Sequence, residues 1–159
     1  MPGNLALKTG TAVTITSTGG STTNGSATSA GTIDLRAAGT ANLIEELQAF
    51  MELTCQWATV TSIAAGTIAA DVYLVPALDG TNYATVTAAG AGADYIASTM
   101  RVGSCVVTNT PTAATNYRYV TAPFDLFPAL YTVYILNRSG QTISANWTLK
   151  ILPCEAQYT

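Results

Sequence analysis

Histidine is missing from this chain altogether, and its absence excludes Ser-His-Asp and Cys-His nucleophile systems along with most zinc and iron sites. Charge is nearly as scarce. Asp, Glu, Lys and Arg make up 9% of the 159 residues, against about 25% in an average soluble domain. The six bases, Lys8, Arg36, Arg101, Arg118, Arg138 and Lys150, are scattered rather than clustered, which argues against nucleic-acid binding by phosphate neutralisation. No apolar run approaches the ~20 residues of a membrane-spanning helix, so no membrane partner is expected. Cys55, Cys105 and Cys154 are odd in number, far apart and without CxxC spacing, so they read as buried thiols acting as small apolar residues, with no metal to hold. The opening MPGNLALKTG has neither the basic nor the apolar region of a signal peptide, and synthesis and folding in a cytoplasm are expected.

What the chain does have is apolar and neutral-polar. Hydrophobic residues make up 48%, too many for intrinsic disorder, and the length suits one domain with a core of its own. With a net charge of -3, the polar surface must be built from Thr, Ser, Asn, Gln and Gly. Solvated monomers normally carry mixed charges that keep them apart, so a surface like this one suits coverage by neighbouring subunits.

The apolar residues follow the period of strands. In AVTITS, residues 12–17, Val13 and Ile15 alternate with Thr. GGSTTNGSATSAG, residues 19–31, carries no apolar period and reads as a loop or flexible arm, after which Ile33 and Leu35 resume alternation. Residues 41–51 hold helical spacing, yet Met51, Leu53, Cys55 and Trp57 alternate with Glu52, Thr54, Gln56 and Ala58, so a strand over 49–60 is expected, preceded at most by a helical turn. Residues 70–78 are apolar on both alternating faces, with Pro76 interrupting the pairing, and Asp79-Gly80 supplies a tight turn before a return strand at Asn82-Tyr83. AAGAGA, residues 88–93, reads as a loop. Strands are expected at 100–108, interrupted by Gly103, at 117–121, at 130–137 and at 143–152, the last closed by Pro153. About eight to nine strands without a long helix describe an all-β, antiparallel β-sandwich of jelly-roll type. Residues 1–31 are expected to form an N-terminal arm with one short strand, and 32–159 the sandwich domain.

The acids Asp34, Glu45, Glu46, Glu52, Asp71, Asp79, Asp94, Asp125 and Glu155 are spread along the chain and form no recognisable catalytic pair, so surface solvation is their expected role and no enzyme is expected. Asp79-Gly80-Thr81-Asn82 lacks the density of ligands of a calcium loop and reads as a hairpin turn. Asn24, Asn137 and Asn146 head glycosylation sequons that a chain this rich in Ser and Thr produces by chance. Tyrosines at 73, 83, 95, 117, 119, 131 and 134 suit a core or an interface better than a sugar-stacking platform.

DVYLVPALDGTNY (71–83) and YRYVTAPFDLFPALYTVYILNRSGQTISA (117–145) resemble a family of small tailed-bacteriophage virion proteins, over roughly residues 39–145. The shared features are an apolar strand ending in a DGTNY hairpin, a Thr/Ala/Asn-rich connection into an aromatic strand, and a VYILN strand ending in a polar turn. The resemblance implies a β-sandwich capsid decoration (cement) protein without catalytic motif or cofactor, located in the virion. Its partners would be the major capsid protein and copies of itself, as a trimer. Leu5, Val13 and Ile15, apolar residues of the N-terminal arm, are the expected assembly contacts. A tail or fibre component binding carbohydrate or a receptor, with Trp57 or Trp147 on the sugar, is the alternative, although both tryptophans fall in strands.

Overall fold

The computed structural model describes residues 5–9, 12–35, 48–77, 79, 81, 101–127 and 129–158. They form ten strands: β1 Leu5–Thr9, β2 Val13–Gly19, β3 Ala27–Asp34, β4 Gln48–Cys55, β5 Ile68–Pro76, β6 Arg101–Val106, β7 Tyr117–Val120, β8 Phe124–Asp125, β9 Leu130–Asn137 and β10 Trp147–Tyr158. No helix occurs among the described residues. Every strand pairing is antiparallel, and the strands make two packed sheets, a β-sandwich.

The six-stranded sheet is organised on β10. One of its edges pairs with β4, from Thr148↔Thr54 to Cys154↔Gln48. The other pairs with β2 up to Ile151↔Val13 and with β1 from Cys154↔Thr9 onward. The far edge of β4 is likewise shared, by β7 and β8. The second sheet runs β3-β9-β5-β6. Treating β1 as a continuation of β2 and β8 as an extension of β7, each sheet is four strands wide. The chain passes from sheet to sheet at each step except the β5–β6 hairpin, which is the jelly-roll order.

Alternation explains the core. Met51, Leu53 and Cys55 of β4 and Trp147, Leu149 and Ile151 of β10 meet Val72 and Leu74 of β5 and Val133 and Ile135 of β9 in one cluster. The sides of the sandwich close where β2 runs beside β3 and β6 beside β7. Glycine is needed at the β6–β7 closure, where a Cβ on Gly103 would lie 2.7 Å from the Thr121 side chain, and within the six-stranded sheet, where one on Gly19 of β2 would fall inside the indole of its β10 partner Trp147.

Several expectations shift by physical necessity. β4 ends at Cys55, and Trp57 survives only as an isolated bridge to Ile143. β3 begins at Ala27, inside the Gly/Ser/Thr tract, because the ladder to β9 from Ala27↔Leu136 needs backbone rather than apolar side chains. Residues 5–9 and 13–19 of the expected arm are strands of the six-stranded sheet, and the expected boundary at Gly31 falls within β3. Pro153 does not close the last strand; β10 continues to Tyr158. Its missing N–H is accommodated because edge pairing passes from β2 to β1 between Ile151 and Cys154. Pro76 is the final residue of β5, where an absent donor is harmless. The helix-spaced stretch 41–47 and the return strand at 82–83 lie outside the described residues.

Candidate functional site

The residues with chemical capacity are best followed from β5, whose odd-numbered positions 71, 73 and 75 turn away from the main core. Tyr73 and Val75 pack there with Leu136 in a second, smaller cluster. Asp71, in the same phase, has a side chain only 2% exposed. Burying a carboxylate is costly unless both oxygens find partners. Here Arg101 Nη1 lies 3.4 Å from Oδ1, Arg138 Nε donates to Oδ2 at 3.2 Å, and the Ser104 hydroxyl donates to Oδ1. Arg101 opens β6 and Arg138 follows β9, so one acid ties both neighbouring strands to β5. With two half-exposed guanidinium groups around one carboxylate, the group carries an excess of one positive charge. It contains no nucleophile beyond a serine hydroxyl committed to the acid. A further ion pair joins Arg118 to Glu52 at 3.4 Å across β7 and β4.

All three cysteines are reduced and buried. Burial pushes the Cys105 thiol up to about 12, and burial reinforced by Cys105 raises Cys55 further. At neutral pH both are uncharged, and a thiol is nucleophilic only as thiolate. Among the described residues no group of three or more His, Cys, Asp or Glu is placed to hold a metal ion.

The aromatic residues are likewise engaged inside. Trp57 and Trp147 are 0% and 1% exposed, which removes both from any sugar-stacking role. Trp57 Nε1 donates to Ser139 Oγ at 2.9 Å, and Trp147 Nε1 donates to the Gly20 carbonyl at 2.6 Å. Tyr73, Tyr119 and Tyr131 are buried and Tyr117 and Tyr134 half-buried, while Tyr83 and Tyr95 lie outside the described residues. The Tyr119 hydroxyl is buried with no hydrogen-bond partner among the described residues.

Around Trp57 the polar residues form a lock at one end of the sandwich. Asn137, the fully buried last residue of β9, donates from Nδ2 to the carbonyls of Thr22 and Gln141, both at 2.7 Å. Its Oδ1 accepts from the Ser139 amide at 2.9 Å and the Ser139 hydroxyl at 2.8 Å. Every hydrogen-bonding position of that amide is thereby used. The VYILN ending therefore marks a joint between three loops, and its Asn137 is closed to glycosylation. Asp79 Oδ1 accepts from the Thr81 amide at 2.8 Å, the geometry of an Asx turn, as expected for a turn residue.

The expected assembly residues occupy one edge of the six-stranded sheet without meeting in one patch. Leu5 stands opposite Tyr158 and Val13 opposite Ile151. Val13 and Ile15 are half-buried and pack on the main core, so part of their apolar surface is already used within the chain. Among the residues whose side chains are described, the large apolar ones with open surface lie elsewhere: Phe127 at 69%, Val120 at 47% and Val106 at 42%. Sequence reasoning missed them because a single Val or Phe in a strand gives no sign of which face it takes.

No protein-family model matches this chain, and no curated protein matches it in sequence.

Proposed function

We propose that this chain is a non-enzymatic structural protein of a bacteriophage particle, a capsid decoration protein that stabilises the head through contacts with the major capsid protein and with copies of itself. The observation that carries the reading is how little charge the described surface presents. Asp71 and Glu52 are buried and hold Arg101, Arg138 and Arg118, in a chain with only six bases and nine acids. Outside lie mainly hydroxyl, amide and apolar groups, including Phe127, Val120 and Val106, with sparse charge from the half-exposed Arg101 and Arg138 and from Arg118 and Asp125. Such a surface suits permanent coverage better than free solution.

Three further features agree. The Cys55 and Cys105 thiols are protonated and enclosed, the buried Asp71 and Asn137 side chains are engaged by their neighbours, and the jelly roll is an architecture used in viral capsids, a fold-level analogy only. The carbohydrate-binding alternative loses its two tryptophans to the core. The test is quantitative mass spectrometry of purified phage particles, together with addition of the purified protein to heads lacking it. Stoichiometric presence and saturable attachment are expected. Absence from particles, or no attachment to such heads, overturns the reading.

A further inference from the structure

The last part of β10 runs beyond the sandwich. Pairing with β4 ends at Cys154↔Gln48, while pairing with β1 continues through Glu155↔Lys8, Ala156↔Leu7, Gln157↔Ala6 and Tyr158↔Leu5. Beyond Cys154, β1 and β10 are a two-stranded ribbon with no third strand on either side among the described residues. The hydrophobic alternation also reverses there. Along the body of β10 the core phase is Trp147, Leu149 and Ile151, but the same phase continues as Pro153, Glu155 and Gln157. The apolar register positions of the ribbon, Ala156 and Tyr158 opposite Leu7 and Leu5, fall instead in the phase of half-buried Leu152 and Phe50 and of buried Cys154, opposite to that of the main core. This segment is not patterned to extend its own core.

We propose that the ribbon joins two copies of this chain, β1 of one pairing antiparallel with β1 of the other about a two-fold axis. The proposal deepens the self-association within the reading above, and names its surface. A two-stranded ribbon is marginal by itself, and a further strand on the open edge of β1 is the direct remedy. β1 has only some of the devices that protect edges, its shortness and the charge of Lys8. It contains no proline and keeps unbroken register with β10. β2, on the same edge of β10, has register shifts at Trp147/Leu149 and Leu149/Lys150 and runs beside β3.

The chemistry selects a second copy as the occupant. An antiparallel edge offers the same pattern of donors and acceptors when turned through a two-fold, so β1 is complementary to itself. Lys8 stands in register with Glu155, so each ribbon is electrically balanced and two ribbons do not repel. A two-fold contact gives dimers, in place of the trimer implied by the resemblance.

The test is size-exclusion chromatography with light scattering on the full chain, a deletion of residues 1–9, and the double substitution Leu5→Lys with Leu7→Lys. The full chain is expected at twice its 16.4 kDa mass, and both variants at that mass with the sandwich's circular dichroism retained. Should the deletion fail to fold, the double substitution decides alone. A full chain that stays monomeric at millimolar concentration, or that is trimeric, overturns the ribbon pairing. So does a dimer that persists in the variants. Particle attachment is scored separately: a monomer that still saturates heads refutes this inference alone, and a ribbon dimer that never attaches refutes the particle reading alone.

Discussion

The two parts of β10 share one backbone and differ in everything that holds them. From Leu149 to Ile151 the strand is paired on both edges, and Trp147, Leu149 and Ile151 are essentially without solvent exposure. Beyond Cys154 it is paired on one edge only among the described residues, and its apolar register positions change face. The first part shows how a weakly charged chain secures a unique fold: with large side chains in the core and an amide lock at Asn137. The second shows where such a chain keeps pairing capacity in reserve. In this account stability resides in the body and self-association in the ribbon, and the variants below set one against the other.

The largest effect is expected at Trp57. Replacing it by alanine leaves a cavity and removes a donor from buried Ser139, and should cost about 3–5 kcal/mol in chemical denaturation. Alkali should act on a comparable scale. The Cys105 thiol is held at about 12 against an ordinary 9.0, so the folded chain binds more protons than the unfolded one between those values. Its contribution is complete below pH 9.0 and is lost as pH rises toward about 12, on the order of 4 kcal/mol, and Cys105→Ala should flatten that part of a stability–pH curve.

Removing both cations from Asp71, with Arg101→Ala and Arg138→Ala together, should cost about 3 kcal/mol, because a buried carboxylate loses both charge partners. Each single substitution should cost about 1 kcal/mol, since the half-exposed arginine that remains still serves the acid. Urea denaturation of the three variants checks this, and equal single and double effects would show that the two arginines do not share the site. Deleting residues 1–9 should change the body's stability by no more than about 1 kcal/mol while abolishing the dimer. Smallest, and opposite in sign, is Tyr119→Phe, which removes a buried hydroxyl without a partner among the described residues and should raise stability by less than about 1 kcal/mol, read as a slightly higher melting midpoint.

Much of the fold was legible in the sequence. Leu130 to Asn137 is a strand over its expected span, and β5 is buried on both faces as its two apolar phases required. Strands with little apolar character escaped. Ala27 to Gly31 reads as a loop because backbone pairing leaves no periodic trace, and the continuation past Pro153 was hidden by a residue that normally ends strands. Less of the candidate site could be foreseen. Arg101 and Arg138 stand 30 and 67 positions from Asp71, and only the β6-β5-β9 order brings them together. Asn137 read only as the end of a strand and the head of a chance glycosylation sequon, and its role became visible only with the Thr22 and Trp57 segments folded against it.

The most direct test of the division between body and ribbon is amide hydrogen exchange along β10, measured by mass spectrometry below and above the concentration of self-association. Amides of residues 147–152 should be strongly protected in both states, and those of residues 155–158, like β1, should exchange rapidly in dilute solution and become protected only on association. Equal protection of the two parts at all concentrations would contradict the account.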